Sequence, residues 1–595
     1  MFFRSGGYSP SSRSSRKVLY KDISLREDFL LNSLLQRWRW RVGRAVEAEP
    51  RRSLIFSANR VSMPKRKSVH SLERLCLDNV VRNIERVWVK DYTADNYLHL
   101  YPCRYTVGPF SVLAGPLLQK LIQLMGERKL LTSSLLHSLL LPQLKELNLN
   151  MCPNLVSEHI AHIIAVRCKN LSSLDLRGCN RIPASALADL VKSLPRLIKL
   201  ALAETQCDTQ VLSRVGSCCF RLRELDISAC ERVTPDSLLH LAYDPTARSF
   251  RCSALQILEV CGLESHSVGP DVLCALVFVL LALPNLKFLI HDSLAKAVCL
   301  IYRQQFDGAW VVPGFPSLRE LARRRMPTST NEGSSRLTLA LREIYGVNET
   351  SWPMACAVCP HLEAASFIIT KSFDLGQSCL SWRHLVRLTI NCSKRRDLRD
   401  LLPVTASLGA QLQTLSFDGF SLEDGLSFHT LLTHCQNLQN FRAFLVSAES
   451  GSHGWVPKNE ASDWCFSLPP LNFPHLCDFS LMHSSQHNRA LEQSLISLLR
   501  HSPCLEILDL LCLPFSVDEV FRKVLAPPGT PLRQLRELSL IQDEVSIHTV
   551  NLLLSSENNL RYLRLDTCSG ISQMEYKEVV QRVNKEGLDV HIVWE

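Results

Sequence analysis

One apolar pattern, Leu-x-x-Leu-x-Leu, recurs along most of this chain, with Phe, Ile or Ala at some of its apolar positions. Its last residues alternate apolar and polar side chains, which predicts a short strand with one face in the core. Residues at helical spacing follow in the clearest units, as in SEHIAHIIAVRC and ASALADLVKSL. We expect fifteen units, whose first leucines are Leu144, Leu171, Leu197, Leu222, Leu255, Leu286, Leu318, Leu362, Leu385, Leu412, Leu438, Leu476, Leu505, Leu535 and Leu560.

A strand and a returning helix, repeated every 23 to 44 residues, predict a solenoid. Strands in a parallel sheet lie about 5 Å apart and helices need roughly twice that, so the stack must curve with its strands on the concave side. Cysteines stand at fixed places, eight residues after the first leucine or three before it, at Cys152, Cys179, Cys230, Cys568, Cys168, Cys219, Cys252, Cys359 and Cys435. The units resemble the cysteine-containing leucine-rich repeat, which implies an α/β, ribonuclease-inhibitor-like horseshoe.

Two amphipathic helices are predicted before the repeats. The first covers residues 71–80, where Leu72, Cys76 and Val80 form one narrow apolar stripe with Leu75 beside it. We expect its charged residues to stay in water, namely Glu73, Arg74 and Asp78. The second helix has Pro116 in its first turn, a favourable place for proline, and then an apolar face that includes Leu117 and Leu121.

The spelling Ser-Leu-x-x-x-Cys-x-x-x-Val from Ser71 resembles the BC box, through which substrate receptors of the von Hippel-Lindau and SOCS type bind Elongin C. The resemblance implies that Elongin B/C is bound by Leu72, Leu75, Cys76 and Val80, with Leu72 in a pocket of Elongin C. The second helix resembles a cullin box, which implies that cullin-2 or cullin-5 is contacted by Pro116, Leu117 and Leu121. Ala114 departs from the cullin-5 spelling and Gly115 from the cullin-2 spelling, so the choice of cullin stays open.

Two alternatives compete with this interpretation. An F-box also begins with proline and spaced leucines, which would make the chain a receptor that uses the F-box adaptor. The two helices would instead only cap the apolar end of the array if the protein is a binding scaffold unrelated to ubiquitin, since every solenoid needs such a cap.

Charge divides the chain into segments. The chain carries a net charge of +10, and residues 1–67 hold sixteen Lys/Arg against five Asp/Glu, which leaves the rest nearly neutral. We therefore expect a basic, disordered tail at 1–67, a helical docking module at 68–130 and the repeat array at 131–595, with insertions near 291–361 and 445–472. A neutral body gives no reason to expect binding to nucleic acid.

Catalytic and metal-binding motifs are missing from the sequence. It contains no Gly-x-x-x-x-Gly-Lys phosphate loop, no Gly-x-Ser-x-Gly elbow and no His-Glu-x-x-His. Cys356 and Cys359 have a metal-like spacing, but no second pair follows, and Cys359 already fits the repeat. The longest apolar run, 272–283, is shorter than the ~20 residues that span a bilayer and predicts a buried helix. We expect reduced cysteines, no cofactor, no metal and no membrane contact.

The order of a BC-box-like helix, a cullin-box-like helix and a repeat array resembles substrate-recognition subunits of cullin-RING ubiquitin ligases. This implies a non-catalytic subunit, in the cytoplasm or the nucleus, that presents protein substrates on its concave wall. Alternation along the strands places polar side chains on that wall, including Asn148, Asn150, Asp175, Arg177, Asp226, Ser228, Arg561 and Arg564.

Overall fold

A computed structural model of the protein describes residues 71–84, 90–91, 106–107, 109–263, 271–306, 312–326, 337–370, 382–446, 468–483, 488–526 and 531–594. The tail predicted at 1–67 and most of the insertion predicted near 445–472 lie outside these residues.

The described part of the chain begins with three helices and a small two-stranded antiparallel pair. The helices are α1 (Leu72–Arg82), α2 (Gly115–Glu127) and α3 (Ser133–Leu139). The pair consists of β1 (Lys90–Asp91) and β2 (Thr106–Val107), and a short 3-10 helix at Pro109–Val112 leads into α2. This arrangement places two amphipathic helices before the first repeat, as the sequence predicts.

Six short parallel strands form the first sheet, in the order β10-β9-β6-β5-β4-β3. They are β3 (Glu146–Asn148), β4 (Ser173–Asp175), β5 (Lys199–Ala201), β6 (Glu224–Asp226), β9 (Ile257–Glu259) and β10 (Phe288–Ile290). The helices that return between or after them are α4 (Glu158–Arg167), α5 (Ala184–Lys192), α6 (Thr209–Cys218), α7 (Pro235–Ala242), α8 (Val272–Ala282), α9 (Leu294–Arg303) and α10 (Leu318–Arg325). A small antiparallel hairpin, β7 (Tyr243–Asp244) with β8 (Ser249–Phe250), follows α7.

Ten parallel strands form the second sheet, in chain order. They are β11 (Glu343–Val347), β12 (Ala364–Ile369), β13 (Arg387–Asp397), β14 (Thr414–Ser421), β15 (Asn440–Val446), β16 (Asp478–His483), β17 (Ile507–Leu511), β18 (Glu537–Ile541), β19 (Tyr562–Asp566) and β20 (His591–Trp594). The helices are α11 (Trp352–Val358), α12 (Leu402–Leu408), α13 (Gly425–His434), α14 (Arg489–Arg500), α15 (Val517–Val524), α16 (Ile547–Ser555) and α17 (Gln573–Glu586). A backbone hydrogen bond of 2.9 Å from the Arg342 N–H to the Lys287 carbonyl oxygen links this sheet to the first.

The core is built from equivalent residues of successive repeats. In the first sheet the central strand leucines stand in register and are buried, namely Leu147, Leu174, Leu200, Leu225, Leu258 and Leu289. Several repeat cysteines are also buried, and their thiols face carbonyl oxygens of the preceding repeat, as Cys230 Sγ does at 3.0 Å from Leu202 O and Cys568 Sγ at 3.3 Å from Leu540 O. These contacts confirm the predicted α/β leucine-rich-repeat solenoid and explain why a small, weakly donating side chain recurs there.

The repeat predicted at Leu318 is wrong, because this segment forms the helix α10. Ser317 Oγ accepts a hydrogen bond from the Glu320 N–H, and the Glu320 carboxylate accepts one from the Ser317 N–H. This capping box starts a helix whose buried face consists of Leu318, Leu321 and Ala322. The strand of this repeat is β11, which begins two residues after Leu341. Within its described residues, the insertion predicted near 291–361 therefore holds one extra helix, α10, because α9 returns from β10 as in the other repeats and β11 with α11 forms a regular repeat.

A buried carboxyl just after the end of β18 predicts that the stability of the protein depends on pH. Asp543 is buried, its Oδ1 accepts a hydrogen bond of 2.8 Å from the Leu513 N–H, and its Oδ2 has no hydrogen-bond partner among the described residues. Burial raises the pKa of Asp543 to about 6. Because the folded state then binds this proton more tightly than the unfolded state, the carboxyl costs stability at pH 7, and the cost disappears as the pH falls toward 4.

We expect Asp543→Asn to be more stable than the wild-type protein at pH 7 by about 1–2 kcal/mol, since the amide keeps the acceptor for Leu513 and removes the buried charge. Urea unfolding at pH 7 and pH 4.5 measures this difference, and the other titrating groups cancel because both proteins carry them. An advantage that stays constant or grows at pH 4.5 would contradict the explanation.

Candidate functional site

The helix α1 has a defined beginning and one buried face. Ser71 Oγ accepts a hydrogen bond of 3.2 Å from the Arg74 N–H, which caps the first turn. Val81 and the following Ile84 are buried in the core, and Leu77 packs partly against it. This face lies on α2, so α1 is docked onto the start of the solenoid.

Two ion pairs hold α1 to α2. The Asp78 carboxylate lies 2.5 Å from Arg128 Nη2, and the Glu73 carboxylate lies 2.5 Å from Lys120 Nζ. Asp78 is only 9% exposed, so the prediction that it stays in water is wrong. It sits between α1 and α2 beside Val81, where its charge is satisfied by Arg128 and, at 3.8 Å, by Arg74.

The opposite face of α1 is apolar and open to solvent. Leu72 is 78% exposed, and Leu75 and Cys76 are exposed as well. The predicted stripe is therefore available over its first turn and a half. Val80, its last member, is half-buried and packs against the core. Val80 therefore helps to pack α1 against the core and also belongs in part to its free face.

The beginning of α2 is fixed by the first repeat. Gln143 Nε2 donates hydrogen bonds of 3.1 Å to the Ser111 carbonyl oxygen and 3.2 Å to the Leu113 carbonyl oxygen. A Cβ on Gly115 would lie 2.3 Å from the Gln143 carbonyl oxygen, well inside contact distance. Close packing therefore explains why glycine stands where the cullin-2 spelling has an apolar residue.

The three predicted cullin contacts differ in accessibility. Pro116 is exposed and Leu117 is half-buried. Leu121 is fully buried in the protein's own core, so the structure contradicts the prediction that it contacts a cullin. The sequence pattern missed Val112, which is 83% exposed and ends the 3-10 helix just before α2. An apolar surface residue of this kind has no periodic signal, because it lies outside the amphipathic helix.

The predicted wall residues fall into two groups. In the first sheet Asn148, Asp175 and Asp226 share one row across the strands, and Asn150, Arg177 and Ser228 follow two residues later. Asp175 already accepts hydrogen bonds from Asn150 Nδ2 at 3.2 Å and from Arg177 Nη2 at 3.0 Å. Arg561 and Arg564 lie at β19 in the other sheet, where Arg564 pairs with the buried Asp566. The structure therefore does not unite all eight residues in one site.

Within the described residues, no group of three or more His, Cys, Asp or Glu side chains is placed to hold a metal ion. No helix in the same part of the chain is long and apolar enough to cross a bilayer. The described cysteines carry free thiols, and burial raises the pKa of Cys168, Cys179 and Cys219 to about 12.

The buried pair of Asp78 and Arg128 gives a testable prediction. Arg128→Met leaves the Asp78 carboxylate poorly compensated and should weaken the docking of α1 by about 1–3 kcal/mol, since the pair is partly buried. We expect amide hydrogen exchange in α1 to accelerate at least about 5-fold. Replacing both partners, in Asp78→Leu/Arg128→Met, should restore slow exchange because no charge is then stranded.

The matched control is Lys120→Met, which breaks the pair between Lys120 and Glu73. Both side chains are about half exposed, at 55% and 48%. Exposed pairs contribute little, so exchange in α1 should change by less than about 3-fold. Equal effects of Lys120→Met and Arg128→Met would show that Asp78 does not hold α1 in place.

No model of a known protein family matches the sequence. The structure is similar to one in the crystal structure of the Rad7 and Elc1 complex in yeast, with a TM-score of 0.38 and 16% identity over 85% of this chain and 96% of that chain. It is also similar to an internalin, InlF, of Listeria monocytogenes, with a TM-score of 0.28 and 12% identity over 78% and 88% of the two chains. A third similarity, to the mouse RP105/MD-1 complex, has a TM-score of 0.29 and 13% identity over 75% and 89%.

Proposed function

We propose that this protein is the non-catalytic substrate-recognition subunit of a cullin-RING ubiquitin ligase. It docks to Elongin B/C through α1 and binds protein substrates on its repeat array. The observation that carries the proposal is the division of α1 into two faces. One face is fastened to α2 by Val81 and Asp78, and the other leaves Leu72, Leu75 and Cys76 in solvent.

A helix that only capped the solenoid would have no reason to expose a row of apolar residues. Capping needs the buried face of α1, and that face is present. The free face adds about one and a half turns of apolar surface on the opposite side of α1, formed by Leu72, Leu75 and Cys76, which a groove on a partner can receive. The free face therefore favours docking in addition to capping.

The cullin contact is proposed for the apolar surface at the start of α2, formed by Val112, Pro116 and Leu117. Val112 and Pro116 are exposed, and both precede the turn in which Lys120 pairs with Glu73 of α1. The two proposed docking surfaces therefore lie on neighbouring helices, so one assembly of Elongin B/C and a cullin can reach both. The proposed location is the cytoplasm or the nucleus, where such ligases act.

Co-purification from cells tests the proposal. The tagged protein should retrieve Elongin B and C together with cullin-2 or cullin-5. Retrieval of the F-box adaptor with cullin-1 instead would support the alternative receptor class. Recovery of neither adaptor would leave the repeat array as a scaffold without a link to ubiquitin and would contradict the proposal.

A further inference from the structure

A row of cations lines the loops that lead from the helices of the first sheet into its strands. This basic edge consists of Lys145, Lys169, Lys192, Arg196, Arg221 and Arg223, all exposed. The loop segments 165–173, 191–199 and 214–223 contain no acidic residue. These three loops are therefore positive, with Glu146 and Glu224 beside the edge, although the chain outside its first 67 residues is close to neutral.

Most of these charges are not neutralised within the protein. In the part of the chain that the structure describes, Lys145, Lys169 and Lys192 form no ion pair, whereas Lys199 beside them pairs with Glu224 at 2.9 Å. Arg196 donates a hydrogen bond of 2.8 Å to Asn170 Oδ1, which fixes its guanidinium at the surface. The repeat thus positions one arginine and leaves three lysines free for an anion.

The basic edge also contains a groove with both polar and apolar lining residues. A groove of about 520 Å³ runs between the ends of α4 and α5 and is lined by Ala165, Val166, Lys169, Asn170, Lys192, Ser193, Pro195 and Arg196. Val166 is 55% exposed on its wall, and in the next repeat Phe220 is 63% exposed beside Arg221. Cations and exposed apolar side chains therefore alternate along the edge.

This combination distinguishes two kinds of anionic partner. Nucleic acid binds mainly through its phosphates, and a phosphate backbone long enough to follow the whole edge would pass Glu146 at the start of β3 and Glu224 at the start of β6, which repel it. A peptide can place a carboxylate over each lysine and an apolar side chain in the groove. The short groove and its mixed lining favour the peptide.

We propose that the basic edge binds an acidic peptide segment of a protein partner, with an apolar side chain seated between Val166 and Pro195 and carboxylates facing Lys169 and Lys192. The surface is separate from the exposed face of α1. The inference therefore does not depend on binding to Elongin B/C.

Selection from a displayed library of random twelve-residue peptides tests the proposal. The full chain is compared with Lys169→Glu/Lys192→Glu and with the control Lys577→Glu/Lys585→Glu, which makes the same change of charge at exposed lysines of α17. Arg196 stays unchanged because it bonds to Asn170. All three proteins carry the same basic segment 1–67, so peptides that bind it are selected equally.

We expect a set of peptides that bind the wild type and the control but not Lys169→Glu/Lys192→Glu. They should have a net negative charge and at least one large apolar residue, and the best of them should lose at least about 10-fold in affinity on that variant. The affinity should also fall as salt rises from 0.05 to about 0.3 M. The proposal is overturned if no such set exists, if its members are neutral or basic, or if a twenty-nucleotide oligothymidylate alone distinguishes the variants.

Discussion

Replacing Leu72 by arginine is expected to weaken binding to Elongin B/C at least about 100-fold, or ~3 kcal/mol, while the stability of the protein stays unchanged. Leu72 is 78% exposed in the free protein, so arginine there is well solvated and costs the fold nothing. In the complex the loss of a buried leucine and the burial of an unpaired charge act together. Isothermal titration calorimetry of the purified protein with Elongin B/C measures the affinity.

Leu426→Arg is the matched control. Leu426 is also an exposed leucine in the first turn of a helix, α13, at 57% exposure, and it lies far along the second half of the array. This variant carries the same change of charge and should bind Elongin B/C within about 2-fold of the wild type, as surface substitutions away from a binding site usually do. If both variants bind Elongin B/C as tightly as the wild type, the adaptor binds elsewhere and α1 is only a cap. If the wild type itself shows no binding, the adaptor does not bind at all.

Trp352→Ala is expected to lower the free energy of unfolding by about 3–5 kcal/mol, the cost of removing a large aromatic side chain from a packed core. Trp352 is fully enclosed, with its ring centroid 3.6 Å from that of Phe367 and 4.6 Å from that of Trp382. These rings join α11 to β12 and to the entry of β13. Chemical denaturation followed by circular dichroism measures the loss.

Two comparisons sharpen the test of Trp352. Ile368→Ala alters an exposed residue of the adjoining strand β12 and should cost less than about 1 kcal/mol. Each repeat contacts mainly its neighbours, so the N-terminal docking face should be intact in Trp352→Ala at low temperature. Its affinity for Elongin B/C should stay within about 2-fold of the wild type. Equal stability losses in the two variants would show that the aromatic cluster is not the core of this part of the array.

The strands could be predicted from the sequence because each repeat contains its own pattern of core leucines. Fourteen of the fifteen predicted leucines, all except Leu318, lead into strands. Leu318 has the same apolar spacing as its neighbours, and only the capping box of Ser317 and Glu320 decides for a helix. The repeat pattern does not predict the strand β20, because His591 stands three residues after Leu588, where the pattern requires a second leucine. Local helix capping and departures from the repeat pattern therefore limit how much of the fold can be predicted from the sequence.

The candidate site was less predictable, because it depends on which neighbour covers each face. Helical spacing identified the stripe on α1, yet it did not distinguish the exposed Leu72 from the half-buried Val80. It also predicted that Asp78 stays in water, because the residues around Asp78 give no sign of its ion pair with Arg128, fifty residues later. Leu121 was assigned to a partner although it faces the core. Long-range packing, which a local pattern does not contain, decides all of these.

Thiol alkylation of the protein with and without Elongin B/C tests the docking of α1 most directly. Cys76 lies on the proposed docking face, and Cys261 and Cys504 are exposed elsewhere, so each of the three should react with N-ethylmaleimide in the free protein. Mass spectrometry after a short pulse gives the extent of reaction at every cysteine. We predict that Elongin B/C protects Cys76 at least about 10-fold and leaves Cys261 and Cys504 unchanged, as a partner seated on one helix face excludes reagent there. Undiminished alkylation of Cys76 in a saturated mixture would contradict docking through α1.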